Sequence, residues 1–179
     1  MKYDPNMVYA ECTSAQGNLY LAATERGLAG MWFTDQRHLP EVSGWQRQND
    51  VAQLSILKDA KQQLQAYFEG QLQQFDLPLD LSAGTPFQQT VWQALLKIPF
   101  GKTTSYGALS NSIDKPLAVR AVGTAIGRNP IGIVVPCHRV VGADGSLTGY
   151  AGGLHRKEAF LTLEGALPVQ HTAKQSMLL

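Results

Sequence analysis

Cys137 and His138 stand side by side in the run Ile133-Val134-Val135-Pro136-Cys137-His138-Arg139-Val140-Val141. A thiol, an imidazole and a guanidinium thus lie between two β-branched runs. Such runs, without polar alternation, belong to segments buried on both faces. They predict a buried strand over Ile133–Val135, stopped by Pro136, with Cys137 at its end. A thiol held that rigidly suits a nucleophile aimed at one atom. Neighbouring side chains of an extended backbone point to opposite faces. His138 therefore need not touch the sulfur and can act through a water. A free cysteine is also a common small core residue, so the pair alone leaves an inert thiol open.

The elements around this run must position it. Met7–Cys12, Asn18–Ala23 and Leu28–Phe33 read as short strands joined by turns at Gly17 and Gly27, an antiparallel meander. Residues 34–49 are polar, are broken by Pro40 and Gly44, and read as a loop. Helical spacing of apolar residues follows from Asp50 to Phe68, stopped by Gly70. This first unit shows no chemistry of its own, and Cys12 reads as core. Thr85-Pro86 starts a helix with a capping threonine and a first-turn proline. A second helix is expected over Thr104–Ile113 and a third over Leu117–Gly127, broken apart by Asp114-Lys115-Pro116. Two short helices about a tight turn make a helix-turn-helix. The third helix carries small residues and one charge, Arg120, which suits close approach to another surface or to a neighbouring helix. Asn129 has a side-chain amide able to bond two backbone groups across the following turn. Thr148–Gly153 is a glycine-rich loop without the Gly-Lys-Ser/Thr element of a phosphate-binding loop, and His155–Gly165 is a last helix bearing Glu164.

Composition narrows the classes. A chain of 179 residues with 44% apolar content can bury a core in one domain or two small ones. No apolar run is long enough to span a membrane, and Met1–Pro5 does not read as the start of a signal peptide. Two cysteines, Cys12 and Cys137, are too few for a disulfide framework, and the four histidines are scattered. A reduced, cytoplasmic protein with no metal and no cofactor is expected. The net charge of +1 is uneven: residues 1–84 hold 6 Lys/Arg against 10 Asp/Glu, whereas residues 85–179 hold 9 against 4. A basic second half around the reactive run points to an anionic partner.

Pro136-Cys137-His138-Arg139-Val140 resembles the active-site signature of the O6-alkylguanine-DNA alkyltransferases. Thr85-Pro86-Phe87-Gln88, Ile98-Pro99-Phe100-Gly101, Thr104-Ser105-Tyr106-Gly107, Arg120-Ala121-Val122-Gly123, Arg128-Asn129-Pro130 and Tyr150-Ala151-Gly152-Gly153 resemble further family segments in family order. The resemblance implies an α+β fold. A ribonuclease-H-like N-terminal unit (residues 1–77, a small antiparallel sheet plus helix) is followed by a linker at 78–84. A winged-helix-like, mostly helical domain with a helix-turn-helix covers 85–165, and a flexible tail covers 166–179. It also implies irreversible, single-turnover transfer of an alkyl group from guanine O6, and more weakly from thymine O4, to the protein's own cysteine. Cys137 then resembles the acceptor, and His138 and Glu164 the partners that deprotonate it through a water. Asn129 resembles the brace of the turn, and Tyr106 the phenol assisting the leaving oxygen. Arg120 resembles the finger that fills the gap left by the flipped nucleotide, with Ala121, Thr103, Ser105 and Arg128 beside it on the DNA. Tyr106, Ile126, Val140, Tyr150, Ala151 and Gly152 resemble the pocket. The implied partner is double-stranded DNA containing O6-alkylguanine, bound through the minor groove with little sequence preference by a monomer. Some members carry a serine where Ala151 stands, so one hydrogen bond to the base is absent. The zinc ligands of some members are absent too, and no cysteine-rich regulatory domain is expected.

The chemistry asks for these residue types independently. Displacement at an alkyl carbon needs a soft nucleophile, yet only a few per cent of an ordinary thiol is ionised at neutral pH. A base is needed, and an imidazole backed by a carboxylate supplies one. The leaving oxyanion needs a donor such as a tyrosine hydroxyl, and the target base must leave the stack, at about a few kcal/mol. Read without the family, Cys137 and His138 also suit a cysteine hydrolase or acyltransferase, and the helix-turn-helix also suits a regulator with an inert core cysteine. A non-repairing relative that only binds alkylated DNA would lack the cysteine.

Overall fold

A computed structural model of the chain describes residues 1–48 and 55–167. β1 (Val8–Ser14), β2 (Gly17–Thr24) and β3 (Gly27–Phe33) form the antiparallel meander read from the turn signals. A fourth strand, β4 (Gln46–Arg47), pairs parallel to β1 inside the segment expected as loop, giving the order β3-β2-β1-β4. Two residues with exposed side chains carry no hydrophobic pattern, so this strand left no periodic signal.

α1 (Ser55–Phe68) packs Leu57, Ala60, Leu64 and Tyr67 against the sheet face formed by Leu19, Leu21, Met31 and Phe33. The predicted helix start at Asp50 lies outside the described residues. The opposite face holds a smaller cluster of Met7, Ala22, Ala29 and Trp32 under Tyr3 and Trp45. β3 is therefore buried along its whole length. The segment 78–84, expected as a linker, runs beside β3: Leu28 N–H donates to Pro78 O at 2.8 Å and Asp80 N–H to Leu28 O at 2.8 Å. Buried Asp80 accepts from the Thr24 hydroxyl at 2.6 Å and from Arg26 Nε at 3.0 Å.

α2 (Pro86–Leu95) begins as its sequence signals. Thr85 caps it, and Gln88 closes the reciprocal capping box. α3 (Tyr106–Ser112) and α4 (Val119–Gly127) form the helix-turn-helix and pack on α2. Both are shorter than predicted at their starts: Thr104–Ser105 is a short strand, β5, and Ser105 caps α3. Trp92, fully buried on α2, donates its indole N–H to Ala125 O on α4 at 2.8 Å. α5 (Leu154–Leu163) closes the chain against Phe33, and residues 168–179 of the expected tail lie outside the described residues.

The strand expected over Ile133–Val135 is not there. Ile131 makes a parallel bridge to Met31 of β3; then the chain coils, with Val134 N–H donating to Gly132 O and Val135 N–H to Ile131 O. Cys137–Arg139 form a 3₁₀ turn, and only Val140–Val141 are extended, as β6, parallel to β5. The apolar run is buried because it passes through the middle of the fold, where Met31 N–H donates to Pro130 O at 2.9 Å. A short apolar run does not reveal its backbone shape by periodicity, and Ile133 at φ +70 shows how far from extended this one is.

The Trp92 indole sets the distance between α2 and the exposed helix α4. Trp92→Phe removes that hydrogen bond and part of a fully buried ring, so it should lower unfolding free energy by about 2 kcal/mol. Urea denaturation checks this: the midpoint should fall with an unchanged slope.

Candidate active site

Asn129, at the end of α4, holds the reactive turn together. Its side-chain Nδ2 donates to Val135 O at 2.8 Å and to Cys137 Sγ at 3.1 Å, while its Oδ1 accepts from Ile131 N–H at 3.0 Å. The amide therefore fixes the turn and places a donor on the sulfur. Cys137 is 8% exposed, at the base of a cavity of about 480 Å³.

Behind the sulfur lies a buried polar chain. His138 Nε2 is 2.7 Å from Glu164 Oε1, and both side chains are fully buried. Arg139 grips the same carboxylate with Nε on Oε2 at 2.8 Å and Nη2 on Oε1 at 3.0 Å, and gives Nη1 to Ile98 O at 2.6 Å. Tyr67 of α1 donates its hydroxyl to Oε1 at 2.8 Å, and Gly101 N–H donates to Oε2 at 3.3 Å. Gly101 has φ +73, and a Cβ there would stand 2.8 Å from Glu164 O; only glycine brings its amide this close.

The electrostatics follow from this packing. For Glu164, burial opposes ionisation, but hydrogen bonds from His138 and Arg139 outweigh it and hold the carboxyl at about 2. The carboxylate is thus an acceptor at neutral pH, so His138 donates through Nε2 and keeps its lone pair on Nδ1. Nδ1 is buried and has no hydrogen-bond partner among the described residues. Burial pushes the His138 pKa below its ordinary value; Glu164 opposes this, and the charges of Arg139 and Lys157 add to it. Burial also pushes the Cys137 thiol up, against the Asn129 hydrogen bond and the Lys157 charge. The resting site is therefore a neutral thiol, a neutral imidazole and a carboxylate.

The other expected site residues divide. Tyr106, Ile126, Tyr150, Ala151 and Gly152 line the cavity with Asn129 and Cys137. Thr148 donates its hydroxyl to the Tyr106 oxygen at 3.3 Å, which leaves the phenol hydrogen free to be given away. Arg120 and Arg128 line the cavity rim and are exposed, and Ala121 is exposed on α4. Thr103 is exposed just before β5, and the Ser105 hydroxyl accepts from Ala108 N–H at 3.1 Å as the α3 cap. Val140 does not reach the cavity: it is buried in β6, where pairing with Thr104 turns it inward, and its carbonyl accepts from Lys157 Nζ. Among the described residues no group of three or more His, Cys, Asp or Glu is placed to hold a metal ion.

Several participants were not foreseen. Gln36, Arg37 and His38, from the unit read as having no chemistry, line the cavity mouth, and Arg37 N–H donates to Ala151 O at 3.0 Å. Arg156 bridges the two halves: it pairs with Asp35 at 2.8 Å, lies 4.0 Å over the Phe33 ring and donates to Gly152 O at 2.9 Å. Lys157 is fully buried, donates to Val140 O and Thr148 O, and has its pKa lowered by burial to about 8. Nothing in the local sequence marked these residues, because their partners are distant in the chain.

Comparison with known proteins finds two family models in succession. Residues 7–81 match the ribonuclease-like domain of 6-O-methylguanine DNA methyltransferase, and residues 86–166 match its DNA binding domain. A methylated-DNA–protein-cysteine methyltransferase of Mycobacterium leprae is 49% identical over 83% of this chain and 86% of its own length. One from Methanosarcina acetivorans is 46% identical over 89% and 99%. A Mycobacterium tuberculosis structure solved in complex with DNA superposes with TM-score 0.80 at 46% identity, covering 89% of this chain and 93% of that one.

The Glu164 carboxyl makes a pH signature. Its pKa falls from an ordinary 4.5 to about 2 on folding, so it contributes stability that is full above the unfolded value. That stability is lost as pH falls from about 4.5 to about 2, on the order of 3 kcal/mol in all. Glu164→Gln should be less stable at neutral pH, with Arg139 left unpaired, yet flatter in this window. Urea melts across the acid range measure both slopes; parallel slopes would sink the assignment.

Proposed function

Because the chain belongs to the 6-O-methylguanine DNA methyltransferase family, it repairs DNA by methyl transfer to one of its own cysteines, and we propose that the acceptor is Cys137. The observation that carries this is the constellation at the cavity base. An Asn129 amide sits on Sγ, and a His138–Glu164 pair stands behind it. Cys12, the other cysteine, lies in β1.

The proposed reaction begins with an O6-alkylguanine flipped into the cavity between Tyr106 and the Tyr150–Gly152 loop. Thymine O4 adducts are weaker substrates. The Cys137 proton passes through a water to His138 Nδ1, and Glu164 stabilises the imidazolium. The sulfur attacks the alkyl carbon, the carbon–O6 bond breaks, and its electron pair stays on the guanine oxygen. Tyr106 gives its phenol proton to the departing base, which leaves as neutral guanine, and the proton taken up by His138 passes back through water to restore the phenol. The new thioether has no route back to a thiol, so each molecule acts once.

DNA is the partner of this fold. We infer minor-groove binding by a monomer, led by α4: its outer face is small, and Arg120 is exposed at the cavity rim. No helix of the described residues is long and apolar enough to cross a membrane.

With a duplex containing O6-methylguanine, intact mass should rise by about 14 Da per molecule, on Cys137 alone. Cys137→Ser should bind DNA without transfer. Repeated turnovers per molecule would refute the reading.

Arg120 separates binding from flipping. Arg120→Ala should slow transfer on duplex DNA, because the unstacking cost of about a few kcal/mol is less well offset. The defect should shrink opposite a poor pairing partner and nearly vanish with free O6-benzylguanine. An even loss of affinity on all DNA, with the salt slope reduced by about one, would make Arg120 a phosphate contact instead.

A further inference from the structure

We propose that Tyr67, carried by α1 of the N-terminal domain, is a positioning residue for the proton relay: its hydroxyl holds Glu164 Oε1 and thereby sets how basic His138 is. This rests on the reading of Cys137, His138 and Glu164 as a relay. The hydroxyl donates at 2.8 Å to the same oxygen that accepts from His138 Nε2 at 2.7 Å. One oxygen is shared by the relay and by a domain that otherwise touches the chemistry only at the cavity mouth.

The surroundings make this an unusual place for a phenol. The Tyr67 ring is fully buried among Phe68, Phe75, Phe100 and Phe160. A phenylalanine would fill nearly the same volume there without a polar atom to satisfy. Burial, and then the Glu164 charge, push the phenol pKa far up, so it stays a donor at every working pH. By drawing charge out of Oε1 it weakens that oxygen as a base. The proton then stays on Nε2, and the Nδ1 lone pair stays available for the thiol proton.

Other groups also face the pair. Arg139 from the 3₁₀ turn binds both carboxylate oxygens, and Gly101 N–H binds Oε2. Lys157 of α5 acts by charge on His138, Lys157 and Cys137 act by charge on each other, and the Tyr150 phenol interacts with both Cys137 and Tyr67. Removing the Tyr67 hydroxyl leaves Arg139 in place, so the carboxylate stays ionised but becomes a better acceptor. That favours the imidazolium and moves the acid limb of the rate profile to higher pH.

The test uses the full chain and free O6-benzylguanine, which removes DNA binding from the readout. Single-turnover rates are measured from about pH 5 to 8. Tyr67→Phe should move the acid limb upward and slow transfer about three-fold in mildly acid buffer, the attenuated worth of one hydrogen bond to a charged group. In a Glu164→Gln background the same substitution should leave the profile where Glu164→Gln alone puts it. Fluorotyrosine at position 67, a stronger donor with the fold retained, should move the limb the other way. An unchanged profile in both position-67 variants, or equal shifts with and without the carboxylate, overturns the proposal and leaves Tyr67 a packing residue. If Glu164→Gln itself keeps the wild-type rate and profile, the relay reading fails first and the proposal falls with it.

Discussion

Glu164 is a negative charge held where water does not reach. Five donors converge on its two oxygens: the Tyr67 hydroxyl, His138 Nε2, two guanidinium nitrogens of Arg139 and the Gly101 amide. They come from α1, the turn before β5 and the 3₁₀ turn, while Glu164 itself stands at the C-terminal end of α5. An isolated carboxylate in such a place would take up a proton. This one stays ionised because its donors are complete, and completing them requires both domains to be assembled. Catalytic geometry and domain assembly therefore share one set of hydrogen bonds.

The same burial explains why the resting thiol is not a thiolate. Desolvation raises the Cys137 pKa and lowers that of His138, so proton transfer between them is unfavourable before substrate arrives. The site keeps a protected thiol and commits it only when a leaving group is in place. With Cys137 as the proposed acceptor of a protein that acts once, this guards the thiol against stray electrophiles or oxidation, since it is the thiolate that reacts. Asn129 supports the balance by giving one amide hydrogen to the sulfur and spending its other contacts on the turn.

The cavity mouth shows the complementary division of labour. The floor is rigid and buried, whereas Arg120, Arg128 and the outer face of α4 are exposed. The positive charge of the second half of the sequence is thus split. Arg139, Arg156 and Lys157 are buried, so their charges do not face an anionic partner. The charge count in the sequence overstates what is available for binding.

The amino-acid sequence by itself determined the β1–β3 meander, the start of α2 and the family to which the chain belongs. Thr85-Pro86 and the turn glycines encode their structures locally, through capping and backbone freedom, and the order of short motifs around Pro136-Cys137-His138-Arg139 specifies the chemistry. It did not determine the shape of the Cys137 segment. Burial on all sides looks the same in sequence whether the backbone is extended or coiled, and here the Asn129 amide and the bridge to Met31 coil it. Nor did it reveal Tyr67, Arg37 or Arg156 at the site, or that Val140 turns away from it. The Tyr67, Arg37 and Arg156 placements are contacts between residues 97 to 140 positions apart, and packing of the second domain onto β3 and α1 brings them within hydrogen-bond reach.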